Sequence, residues 1–435
     1  MQNFTSLPEA TAWVFDLQKF GIKFGLSSTQ RLLAGLGNPH LGRRFLHIAG
    51  TNGKGSVAAM LSAILTQAGY PVGLYTSPHL IDFAERFRLR DQEVSPERLL
   101  ELINRVQQVV DAQELPTFFE FVTAMALLYF AESQADPVIL ETGMGGRLDA
   151  TNIVQPILTV ITNIALEHQE HLGTSLKSIA FEKAGIIKPG VPLITYARQK
   201  RVLEMFKART GELGAPIYLG GVDFRVRGQA QGRFKYQGWS TQLDHLVINL
   251  NGRHQYRNAA IALAAIEMLQ AQGFEIPEAA VREGLQRTYW PGRLEIISKH
   301  PLVILDGAHN PAAATALAQV VESGLKFQRL LLVLGIMADK DIGAILRRLL
   351  PLAQVVVFTR PRFPRAASPE VLARWADGLA LETYTIPELG SAIDLARRLA
   401  GPEDLVLITG SLFTVGEAKE YLSRCPDLKL TQAST

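Results

Sequence analysis

Cysteine is almost absent from this 435-residue chain: Cys425 stands alone near the C-terminus. One thiol closes no disulfide and builds no cysteine metal site within the chain, which suits a reducing compartment. No window approaches the 18 or so apolar residues that a membrane-spanning helix needs. The first twenty residues, MQNFTSLPEATAWVFDLQKF, lack a basic start and a continuous apolar stretch, so no signal peptide is expected. Clustered charge is missing too. A formal net charge of +3 suits anionic small molecules and falls far short of a nucleic-acid binder. Internal repeats and low-complexity segments are also lacking. Hydrophobic residues at 47% and charged residues at 20% match an ordinary globular protein rather than a disordered one. The expectation is a cytoplasmic protein, a monomer, without a membrane or nucleic-acid partner.

The length exceeds what one ordinary hydrophobic core holds, so two domains are expected. Buried-strand patterns alternate with helical ones, which predicts an α/β fold with a mostly parallel sheet. Strands are expected at Arg44–Ala49, Val72–Thr76, Val138–Glu141, Leu158–Ile164 and Pro192–Tyr196, with helices at 54–68, 97–110, 118–133 and 175–187. Thr117 and Glu120 match a capping box, and Ser95-Pro96 a helix start. From about 216 to 250 short β-like runs predict hairpins appended to the sheet, followed by helices near 255–271 and 277–287. Pro and Gly in TYWPGR (288–293) mark a boundary, dividing a phosphate-loop domain at 1–290 from a smaller Rossmann-like domain at 291–435. The second series reads Leu302–Asp306, a helix from 311, Arg329–Leu334, a helix near 341–350 and Gln354–Thr359. It continues with a helix start at Ser368-Pro369, a helix near 389–399, Asp404–Thr409 and a last helix. The loop RPRFPRAAS (360–368) is basic and expected to be exposed, and the tail after Asp427 is expected to fray.

The strongest local signal is Gly50-Thr51-Asn52-Gly53-Lys54-Gly55-Ser56, between a strand and a helix. Small residues let backbone N–H groups turn around phosphate oxygens, the helix start adds partial positive charge, and Lys54 reaches the β/γ-phosphates. The usual G-x-x-x-x-G-K-[ST] pattern is not fully met. Ile48 takes the first glycine position, and Gly55 separates Lys54 from Ser56. Ser77 follows one strand, Glu141 ends another and His168 follows a third, on the edge where α/β proteins bind ligands. Such a set can hold Mg2+, which favours oxygen ligands, although histidine is unusual there and also reads as a core or surface residue. Lys183 by itself reads as a solvated helical lysine, and Phe118, Phe119 and Phe121 as core.

These motifs, taken together, resemble the folylpolyglutamate synthase and dihydrofolate synthase family of the Mur ligase superfamily. The matching blocks include GTNGKGS, FGIKFGL (20–26), TSPHL (76–80), TFFEF (117–121), ETGMGGRLDATN (141–152), ITNIALEHQEHLG (161–173) and EKAGIIKPG (182–190). They resume at HQYRNA (254–259), WPGRLE (290–295), DGAHNP (306–311), GIMADKD (335–341) and TGSLFTVGE (409–417), in the family's order over nearly the whole chain. The resemblance implies ATP bound by Gly53, Lys54, Gly55 and Ser56, with Asn258 near the nucleotide, Arg293 on its phosphates and Asp306 on its ribose. It implies Mg2+ on Ser77, Glu141 and His168, and a carbamate on Lys183. A pterin site is implied at Thr117, Phe118, Phe119, Glu120, Leu148, Asp149 and Ala150, with His309 near the reacting groups. ATP would sit between the domains, so chemistry would need their closure. Two departures are Ser27, where the family commonly has an acid, and Glu167, where Asp is more common.

The implied activity adds L-glutamate to dihydropteroate, to reduced folates, or to both, through an acyl phosphate. The nearest alternative is a cell-wall Mur ligase. Against it stand Gly55 after the loop lysine, where those enzymes usually carry Thr, and the 49 residues before Gly50, too few for a UDP-sugar domain. A phosphate-loop switch or motor ATPase would not need DGAHNP, and a noncatalytic nucleotide-binding module would not need Ser77, Glu141 and His168.

Overall fold

The computed structural model describes residues 3–425 other than 22, 24, 230 and 231. Ile22 and Phe24 of FGIKFGL, and the tail after Asp427, lie outside the described residues. The chain divides into two compact units. One is Met1–Asn249 with Gln255–Thr288, and the other is Leu250–His254 with Tyr289–Thr435.

In the first unit Phe45–Ala49 (β1) is buried at every position, as a parallel strand covered on both faces must be. β2 (Gly73–Tyr75), β3 (Phe87–Leu89), β4 (Gln92–Glu93), β5 (Val138–Glu141), β6 (Pro156–Ile161), β7 (Leu193–Thr195) and β8 (Ile217–Leu219) join it. Their order is β4-β3-β2-β5-β1-β6-β7-β8. β2, β5, β1, β6, β7 and β8 run parallel, and β3 and β4 close one edge antiparallel. Because β2, β5, β1 and β6 are neighbours, the segments after their C-terminal ends emerge side by side. These are Ser77, the residues after Glu141, the phosphate loop and the stretch leading to His168.

The helix Phe118–Glu132 is apolar on almost every face and accordingly buried. It packs against the helices Leu7–Asp16, Ser27–Gly35 and Pro96–Gln108. Thr117 and Glu120 form the expected capping box at its start.

Two expectations are corrected. β6 starts at Pro156 and ends at Ile161 rather than running from Leu158 to Ile164. Beyond Ile161 the backbone follows the phosphate loop rather than a strand: Thr162 N bonds the Ala49 carbonyl, the Asn163 carbonyl accepts from Thr51 N, and both side chains bond the Asn52 carbonyl. The runs over 216–250 are not all hairpins appended to the main sheet. β8 extends that sheet in parallel, whereas β9 (Arg225–Gly228), β10 (Phe234–Gln237) and β11 (Gln242–Leu246) form a separate antiparallel sheet. The cause lies in the inward face of β10: buried Tyr236 donates to Glu267 at 2.6 Å on the helix Arg253–Ala271, which ties this small sheet to that helix.

The second unit holds β12 (Glu295–Lys299), β13 (Leu302–Asp306), β14 (Leu330–Leu334), β15 (Val355–Arg360), β16 (Glu382–Glu388) and β17 (Leu405–Thr409) in the order β12-β13-β17-β14-β15-β16. All neighbours are parallel except β12–β13. Its core joins the inner residues of β13, β14, β15 and β17 to the helices Pro311–Gly324 and Ile342–Leu349. Among the described residues no helix is long and apolar enough to cross a membrane.

Candidate active site

The loop after β1 is held by its neighbour strand. Asn52 donates its N–H to Asn163 Oδ1 at 3.0 Å, and its carbonyl accepts from Thr162 Oγ1 at 2.7 Å and Asn163 Nδ2 at 2.9 Å. Gly50 has φ 147°, and a Cβ there would lie 1.9 Å from Thr162 Oγ1, so only glycine fits. Gly53, at φ 87°, sits against Asn258 and caps the helix Lys54–Gln67 without any side-chain hydrogen bond. The first N–H groups of that helix therefore have no side-chain cap, which is the geometry that receives phosphate. Gly55 and buried Ser56 lie in its first turn. Lys54 Nζ folds back onto the Gly50 and Thr51 carbonyls at 3.1 and 3.4 Å and stands 4.0 Å from Glu141.

Glu141 ends β5 and is buried, and its Oε2 accepts the Ser77 N–H at 3.2 Å. His168 follows β6 in the left-handed region, at φ 46°. A buried carboxylate beside a serine and the phosphate loop fits Mg2+, which takes one or two carboxylates and completes its shell with water and phosphate oxygens. Among the described residues no three His, Cys, Asp or Glu groups form an all-protein cage.

Lys183, on the helix Leu176–Ala184, is buried rather than solvated. Its Nζ donates to the Gly50 carbonyl at 2.8 Å and to Glu167 Oε1 at 2.7 Å. Burial lowers its amine to about 8, although Glu167 pulls the other way. Burial also opposes the Glu167 charge, but Lys183 and then Lys54 outweigh it and hold that carboxyl at about 2.

Beside the loop lies a cavity of about 320 Å³, within the range of small-molecule sites. Thr117, Phe118, Phe119, Glu120, Leu148, Asp149 and Ala150 all line it, and so does Ser77. Two of the acids are already engaged. Glu120 Oε2 accepts from the N–H and hydroxyl of Thr117. Asp149 accepts from Met144 N at 2.9 Å, Thr151 N at 3.0 Å and Thr151 Oγ1 at 2.5 Å. Burial raises the Asp149 carboxyl against these bonds. Thr151 Oγ1 also lies 2.8 Å from Nε2 of His47, a fully buried residue on β1. With its proton given to Asp149, the Thr151 oxygen accepts from His47, so a buried chain runs from the strand feeding the phosphate loop to the cavity wall. Reading the sequence missed this chain and the lining residues Lys23, Arg86 and Leu172. FGIKFGL and the stretch after TSPHL contain Lys23 and Arg86, but nothing in their spacing marks them as inward-facing.

In the second unit Asp306 ends β13, with Oδ2 accepting from Leu294 N at 3.0 Å and Oδ1 from Ala308 N at 2.9 Å. Burial raises its carboxyl, and the Arg293 charge opposes that rise. Gly307 N bonds the Gly292 carbonyl at 2.8 Å, so the WPGRLE turn and DGAHNP are laced together. His309 Nδ1 lies 2.8 Å from the Gly307 carbonyl, which puts the proton on that nitrogen.

The parallel sheet, its phosphate loop and the adjoining cavity define a nucleotide-binding α/β protein with a second small-molecule pocket. Comparison narrows the class. Residues 48–266 match the Mur ligase middle domain, and residues 292–412 match the Mur ligase glutamate ligase domain. The dihydrofolate synthase/folylpolyglutamate synthase of Bacillus subtilis is 36% identical, covering 96% of this chain and all of that protein. The E. coli FolC structure in complex with DHPP and ADP superposes with a TM-score of 0.88 at 34% identity, over 95% of this chain and 97% of that one. A Mycobacterium tuberculosis folylpolyglutamate synthase complexed with ADP gives 0.90 at 33% identity, over 97% and 100%. This chain belongs to the dihydrofolate synthase/folylpolyglutamate synthase family of Mur ligases.

Proposed function

We propose that this protein uses ATP to join L-glutamate to a folate-type carboxylic acid through an acyl phosphate, acting on both dihydropteroate and reduced folates. The observation that carries this is the single cavity lined by all seven pterin-site candidates and Ser77, beside the phosphate loop. A carboxylate oxygen of the substrate takes the γ-phosphoryl group, and ADP departs. The glutamate amine then attacks the acyl carbon, phosphate leaves, a proton is lost, and an amide remains.

The chain's own residues have distinct parts in this. Gly53, Gly55 and Ser56 present the open helix start to the phosphates, and Lys54 exchanges its loop carbonyls for phosphoryl oxygens. Stabilising charge on the transferring group is where such sites do most of their work. Asn258 borders the nucleotide side of the loop. Arg293 would contact phosphate, and Asp306 would meet the ribose while tying its own turn. His309 stands among the reacting groups. Ser77, Glu141 and His168 would hold Mg2+, which neutralises phosphate charge when bound. Phe118 and Phe119 offer ring faces to the pterin, and Thr117, Glu120, Leu148, Asp149 and Ala150 shape its walls. The depressed Lys183 amine supports a carbamate, because reaction with CO2 needs the uncharged form. Carbamate formation breaks the Lys183–Glu167 ion pair, and Lys54 is the nearby cation that offsets the added anion. A monomer in the cytoplasm completes the proposal.

Purified protein with ATP, Mg2+ and glutamate, offered dihydropteroate or tetrahydrofolate separately, tests it. ADP release and a glutamylated product are expected from each. Turnover of one alone ends the bifunctional reading, and turnover of neither ends the proposal.

A further inference from the structure

Three charged residues of the cavity, Lys23, Arg86 and Glu182, have no part in the proposed reaction; Lys23 bonds the Leu115 carbonyl and Glu182 pairs with Arg147, which leaves Arg86. Arg86 lines the cavity, is only 5% exposed, and forms no ion pair with any described residue. Its Nε donates to Nδ1 of His79 at 2.9 Å, and Tyr75 lies beside it. The nearest acids are committed elsewhere. Glu85 takes the N–H groups of Leu80, Ile81 and Asp82, and Glu141 takes that of Ser77 and faces Lys54. A cation desolvated without an anion is costly, and proteins keep one only where a partner arrives.

The surroundings fix where that partner sits. The guanidinium carbon lies 5.2 Å from the Phe118 ring centre and 6.0 Å from that of Phe83. Phe118 in turn stacks on Phe15, with centroids 5.6 Å apart. These rings hold the guanidinium plane against the aromatic wall. At the other side, the Arg86 carbonyl accepts from Thr76 N at 3.3 Å, one residue before Ser77. Arg86 thus stands between the face suited to a pterin ring and the strand-end edge suited to phosphate. A pterin-bearing acid laid across this cavity has its ring at the first and its carboxylate at the second.

We infer that Arg86, oriented by His79, clamps the substrate carboxylate that receives the phosphoryl group. This rests on the reading of the cavity as the site of a pterin-bearing acid. The guanidinium fork matches a carboxylate with two parallel N–H···O bonds and so sets its orientation as well as its affinity. A neutral imidazole accepts from Arg86 Nε at its Nδ1, so the guanidinium end, which also meets Tyr75, is turned to the ligand. Arg86 is a substrate-binding residue in this account, and His79 is a positioning residue that acts through it.

Calorimetry of the full chain with dihydropteroate, and with the same compound lacking its carboxyl group, separates the possibilities. The wild type is expected to prefer the carboxylate form by roughly 10- to 100-fold, the range for charge-assisted hydrogen bonds. Arg86→Gln abolishes that preference while binding the decarboxylated compound within about twofold of the wild type, and Arg86→Lys recovers only a small part. His79→Asn keeps an acceptor near the Nδ1 position and retains most of the preference. His79→Leu raises KM for dihydropteroate and leaves KM for ATP unchanged, a split that general loosening of the fold does not produce. Equal weakening of both compounds by Arg86→Gln overturns the clamp, as does a wild type that binds both alike. A wild type that binds neither overturns the pterin reading, and the clamp with it.

Discussion

The phosphate loop of the first unit and the DGAHNP segment of the second are built on one plan with opposite endings. Each follows a buried parallel strand, β1 or β13, and runs into a helix of 14 residues. The helix Pro311–Gly324 is closed by its own chain: Asn310 Oδ1 accepts from Ala313 N at 2.8 Å, and proline occupies the first turn. The helix Lys54–Gln67 starts at a left-handed glycine with no side-chain cap. At the end of β13 both oxygens of Asp306 are filled by backbone amides, whereas the Lys54 amine rests on two loop carbonyls it can leave, with Glu141 4.0 Å away. The open end offers backbone groups to a ligand, and the closed end is scaffold from which side chains project.

The largest difference between the two ends is expected at Lys54. Lys54→Ala should lower ligation by about 1,000-fold or more, because a phosphate-side cation acts on the transition state. Its melting temperature should stay near wild type, and a large drop there makes the lysine structural. Lys183→Ala should lower turnover on the order of 100-fold with ATP affinity nearly kept. Formate or acetate should partly restore this variant and leave Lys183→Arg inactive; wild-type turnover in Lys183→Ala excludes a carbamate role. In metal-free protein, Glu167 is held at about 2 against its usual 4.5. Its contribution to stability is therefore complete above that usual value and drains as pH falls towards the lower one. Glu167→Gln should flatten that part of a melting-temperature profile.

Smaller effects sharpen the contrast. Gly53→Ala puts a Cβ 2.6 Å from Asn258 Oδ1 and forces alanine into a left-handed conformation, which costs roughly 1–2 kcal/mol. Nucleotide affinity should fall with stability, and Asn258→Ala in the same chain should relieve part of both. Asn310→Ala, at the closed end, should cost only about 1 kcal/mol of stability and leave nucleotide affinity unchanged. If Asn310→Ala weakens ATP as much as Gly53→Ala does, the two helix ends do not differ as described.

The parts legible in the sequence are those whose signal is local. Val138–Glu141 and Leu302–Asp306 are continuous apolar runs that end on an acid, and both strands have these bounds. The phosphate loop is legible because its glycines and lysine act within seven residues. β16 (ETYTIPE) goes unread because it is a largely exposed edge strand whose only aliphatic residue is Ile386, followed by proline, and β3 and β4 because they are too short to show a period. Lys183 looks like a surface lysine until the fold brings the Gly50 carbonyl and Glu167 to its amine. His47 and Thr151 are 104 residues apart, so no spacing rule could pair them. Asp149 is legible as a site residue by resemblance, but its role in holding Met144 and Thr151 appears only in three dimensions.

Acyl transfer through a phosphorylated carboxylate is the centre of the proposed chemistry, and oxygen labelling tests it directly. Dihydropteroate carrying oxygen-18 in its carboxyl group should pass one labelled oxygen to the phosphate released for each amide formed with glutamate. Unlabelled phosphate in the presence of normal amide formation would contradict the acyl phosphate and, with it, the proposed roles of the phosphate loop and the cavity.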